Sequence, residues 1–279
     1  MNAETWLHTD QHGFIGLAGP LHGLAEALDR AFLDLALSFG AESQEFGPLL
    51  AVRDLRKIDY FSAFPHLVMF PTSVQNDSEA LREFAGTNGA QADGGLHLNR
   101  LGPVSHVLAP AACYAVYIAM EGASLDVPRR ITVKGTCFRS ETSFAPLVRQ
   151  PCFRMREIVH LGSQHTVESF LAEARDRVLH LAAEWDVKCS IDAATDPFFD
   201  PARSPKYLHA RLFPSKHELT AGDVAIASFN NHRNFFGEAF HISTQGAAIH
   251  TACVAFGIER WVNAILRTHG TDPVNWPLS

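Results

Sequence analysis

The stretch ITVKGTCFRSE (131–141), TSFAPLVRQPC (142–152), FRMREIVHLG (153–162) decides the fold. In its first segment Ile131, Val133, Gly135 and Cys137 alternate with Thr132, Lys134 and Thr136, the period of a half-buried strand. The third segment is a second strand candidate, and the loop between them makes the pair an antiparallel hairpin. Arg139 and Glu141 lie two apart on the first strand, so their side chains are expected on one face. An arginine can grip a phosphate through two parallel hydrogen bonds. A carboxylate beside it can accept from an adenine amino group, although the same pair also reads as a surface ion pair. Arg149 in the loop and Arg260 farther along add cations, the kind of cluster that phosphate chemistry uses.

Downstream, residues 166–185 predict a helix with Val167, Phe170, Leu171, Ala174, Val178 and Leu181 on one face. DPFFDPARSP (196–205) is a loop. DVAIASFN (223–230) and EAFHIS (238–243) read as strands broken by NHRNFFG, and AAIHTACVAFG is short and apolar enough for a central strand. Gly257 admits a tight exit into a helix at IERWVNAIL. Upstream, LAEALDRAFLDLALSF (24–39) predicts a helix, with Pro20 before it and Gly40 as its stop. EFGPLL (45–50) and DYFSAFPHLVMF (59–70) read as turns plus a short strand. Residues 71–98, polar and glycine-rich, read as a surface excursion or lid. Residues 106–119 read as an apolar helix, or a strand-to-helix unit begun near Pro110. The later half is mainly antiparallel strand with interspersed helices, which is α+β rather than a doubly wound sheet, and the length suits one large domain or two modest ones. No GxGxxG follows a strand and no GxxxxGK[ST] is present, which argues against a Rossmann or P-loop nucleotide site.

A chain of 279 residues can bury a full core, and a net charge of -7 argues against a protein wrapped in nucleic acid. No apolar run is long enough to cross a bilayer, and the N-terminus lacks the basic start and apolar run of a secretory signal. Five cysteines without such a signal point to a reducing, cytoplasmic setting. No CxxC is present, so a cysteine metal site must be assembled from distant segments. Cys113 in APAACYAVY, Glu157 in FRMREIVH and Cys253 in HTACVAFGIER supply two soft donors and one hard one. Zinc accepts that mixture and commonly keeps its fourth position for substrate. The same cysteines also read as small buried hydrophobes, as do Cys137, Cys152 and Cys189. A structural zinc would need a fourth protein ligand, and no local one stands out. His232 and His241 flank Gly237 as surface or supporting residues rather than ligands. His160 and His250 read as packing or hydrogen-bonding residues, and Phe198 and Phe199 as a pocket wall or a core anchor.

Beyond the hairpin, PAACYAVY, GTCFRSE, FRMREIVHLG, ATDPFFD, KHEL, SFNNHRNFFG, TACVAFGIERW and HGTDPVNWP agree in order with one family. From about residue 59 the chain resembles the amino acid:[carrier protein] ligases, stand-alone homologues of class II aminoacyl-tRNA synthetases of the seryl type. The resemblance implies a single α+β catalytic domain over 1–279, an antiparallel sheet flanked by helices, acting as a homodimer that activates glycine or alanine with ATP and passes it to the phosphopantetheine thiol of a carrier protein. It implies Zn2+ on Cys113, Glu157 and Cys253, holding the substrate's α-amino group. It implies Arg139 on the ATP α-phosphate, Glu141 near the adenine amino group, Phe153 stacked on adenine, Arg260 at the γ-phosphate and base, and Arg149 as a further nucleotide contact. Where seryl synthetases carry a magnesium-binding glutamate this chain has Ala225, yet Mg2+ is expected with ATP to offset phosphate charge. Seryl synthetases also begin with a long tRNA-gripping arm, and the short segment before residue 59 argues against tRNA as a partner. Two rivals remain: a seryl-synthetase-like enzyme serving tRNA or another acceptor, and a catalytically silent paralogue that binds a partner.

Overall fold

The structure of the chain, a computed structural model, describes residues 6–87, 100–200 and 215–278. Its centre is a seven-stranded sheet of β1 (Glu42–Gln44), β2 (Arg129–Phe138), β3 (Cys152–Gly162), β4 (Ser190–Ala194), β5 (Lys216–Ala221), β6 (Val224–Arg233) and β7 (His250–Gly257). The spatial order is β1-β2-β3-β7-β6-β5-β4. β1 pairs parallel with β2, and every other neighbour in the sheet is antiparallel. The AAIHTACVAFG strand is therefore the central one, and the β2–β3 hairpin forms as its alternation predicts.

The helices used below are α1 (Gly19–Ser38), α2 (Tyr114–Ala119), α3 (Gln164–Glu184), α4 (Phe235–Ala239) and α5 (Ile258–His269). α1, α3 and α5 cover one face of the sheet. Leu21, Leu24, Leu28 and Phe32 of α1 are buried there, and the Phe32 ring stacks on Phe256 of β7 at 4.3 Å. α3 starts where the Ser163 side chain accepts the Thr166 N–H. Its predicted face buries Val167, Phe170, Leu171, Ala174 and Val178. The other face carries a second core, built from α2, α4 and the segment around Leu50–Tyr60 against Ile131, Val133, Val159, Leu161 and Cys253. Strand alternation assigns the faces: on β3, Ile158 belongs to the first core and Val159 and Leu161 to the second.

Four local expectations change. EAFHIS is not a strand along its length: residues 235–239 are helical, only Ser243 starts a two-residue strand, and Phe236 and Phe240, four apart, both enter the second core. Within DYFSAFPHLVMF, Tyr60–Ala63 and Pro65–Leu67 are short helical turns, with the Tyr60 and Phe64 rings 5.3 Å apart. α1 starts at Gly19, so Pro20 belongs to its first turn, where its missing N–H costs nothing. β2 stops at Phe138, so Arg139 and Glu141 lie beyond the strand rather than on one of its faces. Of the 71–98 excursion, Ser78–Thr87 is a helix and 88–98 lie outside the described residues, as do 201–205 of the DPFFDPARSP loop. No helix among the described residues is long and apolar enough to cross a membrane.

Candidate active site

Cys113, Glu157 and Cys253 meet on the face away from α1. One ligand atom from each lies within 4.8 Å of the others, and all three residues are buried. Glu157 and Cys253 come from the adjacent strands β3 and β7. Cys113 arrives from the turn that caps α2. That turn presses on β2 at Gly135, where a Cβ would stand 2.9 Å from the Ala112 methyl, so only glycine lets it approach this closely. The Ala112 N–H then donates to Glu157 Oε1 at 2.9 Å.

Charge makes this trio unusual. Burial, and then the Cys253 thiolate beside it, pushes the Glu157 carboxyl up to about 8. The hydrogen bond between Cys113 and Cys253, with burial, pushes the Cys113 thiol well up. The same bond pulls the Cys253 thiol well down against the opposing effect of burial. Cys253 thus ionises at the expense of Cys113 and Glu157, and a cation in this buried site would let the other two ionise as well. Two sulfurs and a carboxylate oxygen suit zinc, with three protein donors and room for one more. A potential metal site is thus built into the fold.

Asn230 and His232 of β6 stand beside it. Asn230 Nδ2 donates to Cys253 Sγ at 3.3 Å, and His232 Nε2 lies 3.8 Å from the same sulfur. His232 is therefore a neighbour of the trio, which the sequence left as a surface or supporting residue. His241 is an exposed turn residue with φ +53°.

The arginines form a second cluster on this face. Arg139 lies over the Phe153 ring at 5.1 Å and donates to the Pro110 carbonyl from Nε at 3.3 Å and Nη2 at 3.2 Å. Glu141 does not pair with Arg139; it accepts from Arg149 at 3.0 Å. Arg260, in the first turn of α5, donates to the carbonyls of Val148 and Ala225, both at 2.9 Å. Burial, then the charge of Arg139, lowers its affinity for a proton, and Glu218, Arg149 and Glu141 also act on it. Arg139, Arg149, Glu141 and Arg260 thus share one charge cluster, with Phe153 as its aromatic floor.

The sequence motifs KHEL and ATDPFFD also supply residues here without having been assigned a role. Lys216 lies 2.8 Å from Asp196 and 3.1 Å from Glu218. Asn230 pairs with Cys253 on one side and Lys216 on the other, so these three residues share a row across the sheet. Phe198 packs on Phe64 at 5.1 Å, while Phe199 remains 62% exposed beside His66 and is no core anchor.

No family model matches the chain. It is 33% identical over 247 residues to amino acid–[acyl-carrier-protein] ligase 1 of Bradyrhizobium diazoefficiens, covering 85% of this chain and 74% of that protein. It is 32% identical over 252 residues to ligase 2 of the same organism, covering 85% and 73%. Its fold overlays on M. kandleri SerRS in a crystal structure with A. aeolicus tRNASec, with a TM-score of 0.84 and 21% identity. The overlay covers 98% of this chain and 57% of that one. The last match corrects the expectation that sets tRNA aside. A chain of this fold is in complex with tRNA there, so neither the acidic total charge nor the short segment before residue 59 removes tRNA from the candidate acceptors. The chain belongs to the amino acid–[acyl-carrier-protein] ligase family and is an ATP-dependent, adenylate-forming ligase with a catalytic domain like that of the class II aminoacyl-tRNA synthetases.

Proposed function

We propose that the protein activates a small amino acid, glycine or alanine, as its adenylate and transfers it to the phosphopantetheine thiol of a carrier protein. The observation that carries this is the Cys113–Glu157–Cys253 trio on the same sheet face as the Arg139–Arg260 cluster. Cys113, Glu157 and Cys253 would hold zinc, whose open position supplies a site for a neutral amine and so selects a free α-amino group. Phe153 offers adenine a stacking surface, and Glu141 an acceptor for its amino group.

In the first step a carboxylate oxygen of the amino acid attacks the α-phosphorus of ATP, and the bond to pyrophosphate breaks. Arg139 supports charge at the α-phosphoryl group. Arg260, anchored through the Val148 and Ala225 carbonyls, holds the leaving end, with Arg149 nearby. Position 225 offers magnesium only a methyl group and a carbonyl already bonded to Arg260, so Mg2+ enters with the phosphates. In the second step the carrier's thiolate attacks the adenylate carbonyl carbon, the thioester forms and AMP leaves. No nucleophile of the enzyme is needed, and none of the cysteines is given that role. Cys113 and Cys253 ligate only when reduced, which suits the cytoplasm.

The test is amino-acid-dependent exchange of pyrophosphate into ATP across the twenty amino acids. Glycine or alanine should support it, and exchange with none of them would sink the activation reading and favour a silent paralogue. The fold match to a tRNA-bound SerRS favours a second reading, delivery to tRNA. Offering a phosphopantetheinylated carrier and tRNA in parallel separates the two: a thioester on the carrier supports the first, and an aminoacyl ester on tRNA alone overturns it.

A further inference from the structure

We propose that His232, together with Asn230, is a positioning residue that fixes the Cys253 sulfur as a metal donor and sets how tightly the trio retains its metal; this rests on the metal reading above. His232 is not a fourth ligand in this arrangement, because the mutually close set holds Cys113, Glu157 and Cys253 alone among the described residues. It stands behind Cys253, and three independent features aim it there.

First, the backbone makes room for it. In the β6–β7 pairing Asn231 faces Ala252 and Arg233 faces Thr251, so His232 is the extra residue of a β-bulge. The bulge is braced by the Arg233 N–H donating to Asn231 Oδ1 at 2.9 Å. Second, the ring is wedged edge-on against two aromatic rings, Tyr117 at 5.9 Å and Phe236 at 4.9 Å. α4, which carries Phe236, is itself seated by Gly237, where any Cβ would meet the Ile249 carbonyl oxygen at 2.3 Å. Third, the two ring nitrogens face different chemistry. Nδ1 has two hydroxyls in reach, Tyr117 at 3.2 Å and Thr251 at 3.3 Å, each able to donate to it. Nε2 has the Cys253 sulfur, an acceptor when ionised. The tautomer that satisfies both sides carries its proton on Nε2, directed at the sulfur. Asn230 adds a second donor to that sulfur and is held in place by its contact with Ser228 Oγ at 3.1 Å. Two donors on one thiolate orient it and disperse its charge, as outer partners do in metal sites generally.

The experiment compares wild-type protein with His232→Ala, His232→Gln and Asn230→Ala, each zinc-loaded and titrated with a chromophoric chelator. His232→Ala and Asn230→Ala should surrender zinc at chelator concentrations about 10–100-fold lower than wild type. His232→Gln, which keeps an N–H donor near the sulfur, should recover most of the loss. In the cobalt-substituted proteins the sulfur-to-cobalt charge-transfer band should shift in His232→Ala and return toward wild type in His232→Gln. Wild-type retention in both alanine variants overturns the proposal, as does a lowered melting temperature of the metal-free protein with unchanged retention. Should His232→Ala fail to fold, Asn230→Ala decides by the same measurement. If the wild-type chain itself retains no zinc, the metal reading falls, an outcome distinct from unchanged retention in the variants.

Discussion

Arg156 and Glu157 are chain neighbours on β3, both buried and both ionisable, yet they point to opposite faces and meet opposite fates. Arg156 faces α1 and is closed: Asp29 takes its Nε at 2.6 Å and its Nη2 at 3.0 Å, and Thr132 accepts from Nη1 at 3.3 Å. Glu157 faces α2 and is open. It accepts one backbone N–H and otherwise shares its space with two thiols, with no cation from the chain in its set. A buried ionisable group with its partner built in is architecture; one left among other acids is a place for something the chain does not itself supply.

The contrast can be broken at either end. Asp29→Ala strands the Arg156 guanidinium and should cost about 3–5 kcal/mol in denaturant unfolding. Glu157→Gln keeps an acceptor for Ala112 and should move the stability of the metal-free protein by less than about 1 kcal/mol. Equal losses in the two variants would erase the distinction. Arg139→Ala leaves the closed face intact and should lower pyrophosphate exchange by about 10²–10³-fold with melting unchanged; wild-type exchange would remove Arg139 from the chemistry.

His160 sharpens the closed face through pH. Burial, and then Arg130, pushes its imidazole from 6.5 down to about 4, so the folded protein resists a proton that the unfolded chain accepts. Its contribution is whole above pH 6.5 and is lost as pH falls toward 4, by up to about 3 kcal/mol. Urea melts at pH 7 and 4.5 should show a smaller difference in His160→Gln than in wild type; identical differences would refute this. Gly135→Ala forces the Ala112–Cys113 turn off β2 and should cost about 1–3 kcal/mol while raising the amino-acid KM. An unchanged KM would show that the turn does not set the site. Arg149→Ala breaks a half-exposed pair with Glu141 and should change stability by under about 1 kcal/mol, with a modest rise in the ATP KM.

The long periodic segments of this fold were legible. The α3 face and the β2–β3 hairpin come from repeats sustained over many residues, and the central strand from an apolar run ended by Gly257. The short aromatic segments were not. EAFHIS alternates well enough to pass for a strand, and only the four-residue spacing of Phe236 and Phe240 signals the helix. The convergence of Cys113, Glu157 and Cys253 was visible only through the ordered motifs, because nothing local links residues 113, 157 and 253. His232 was out of reach because its approach to Cys253 depends on a bulge in β6, and bulges leave no mark in a single strand's pattern. The same holds for Arg139 and Glu141: where β2 ends decides that Glu141 meets Arg149 instead.

The open face makes one direct demand. Pyrophosphate exchange with glycine or alanine should vanish when the purified protein is stripped of metal and return when zinc is restored, with Glu157→Gln inactive in both states. Undiminished exchange in the stripped protein would contradict the account, since the trio would then be no more than two buried thiols and a carboxyl.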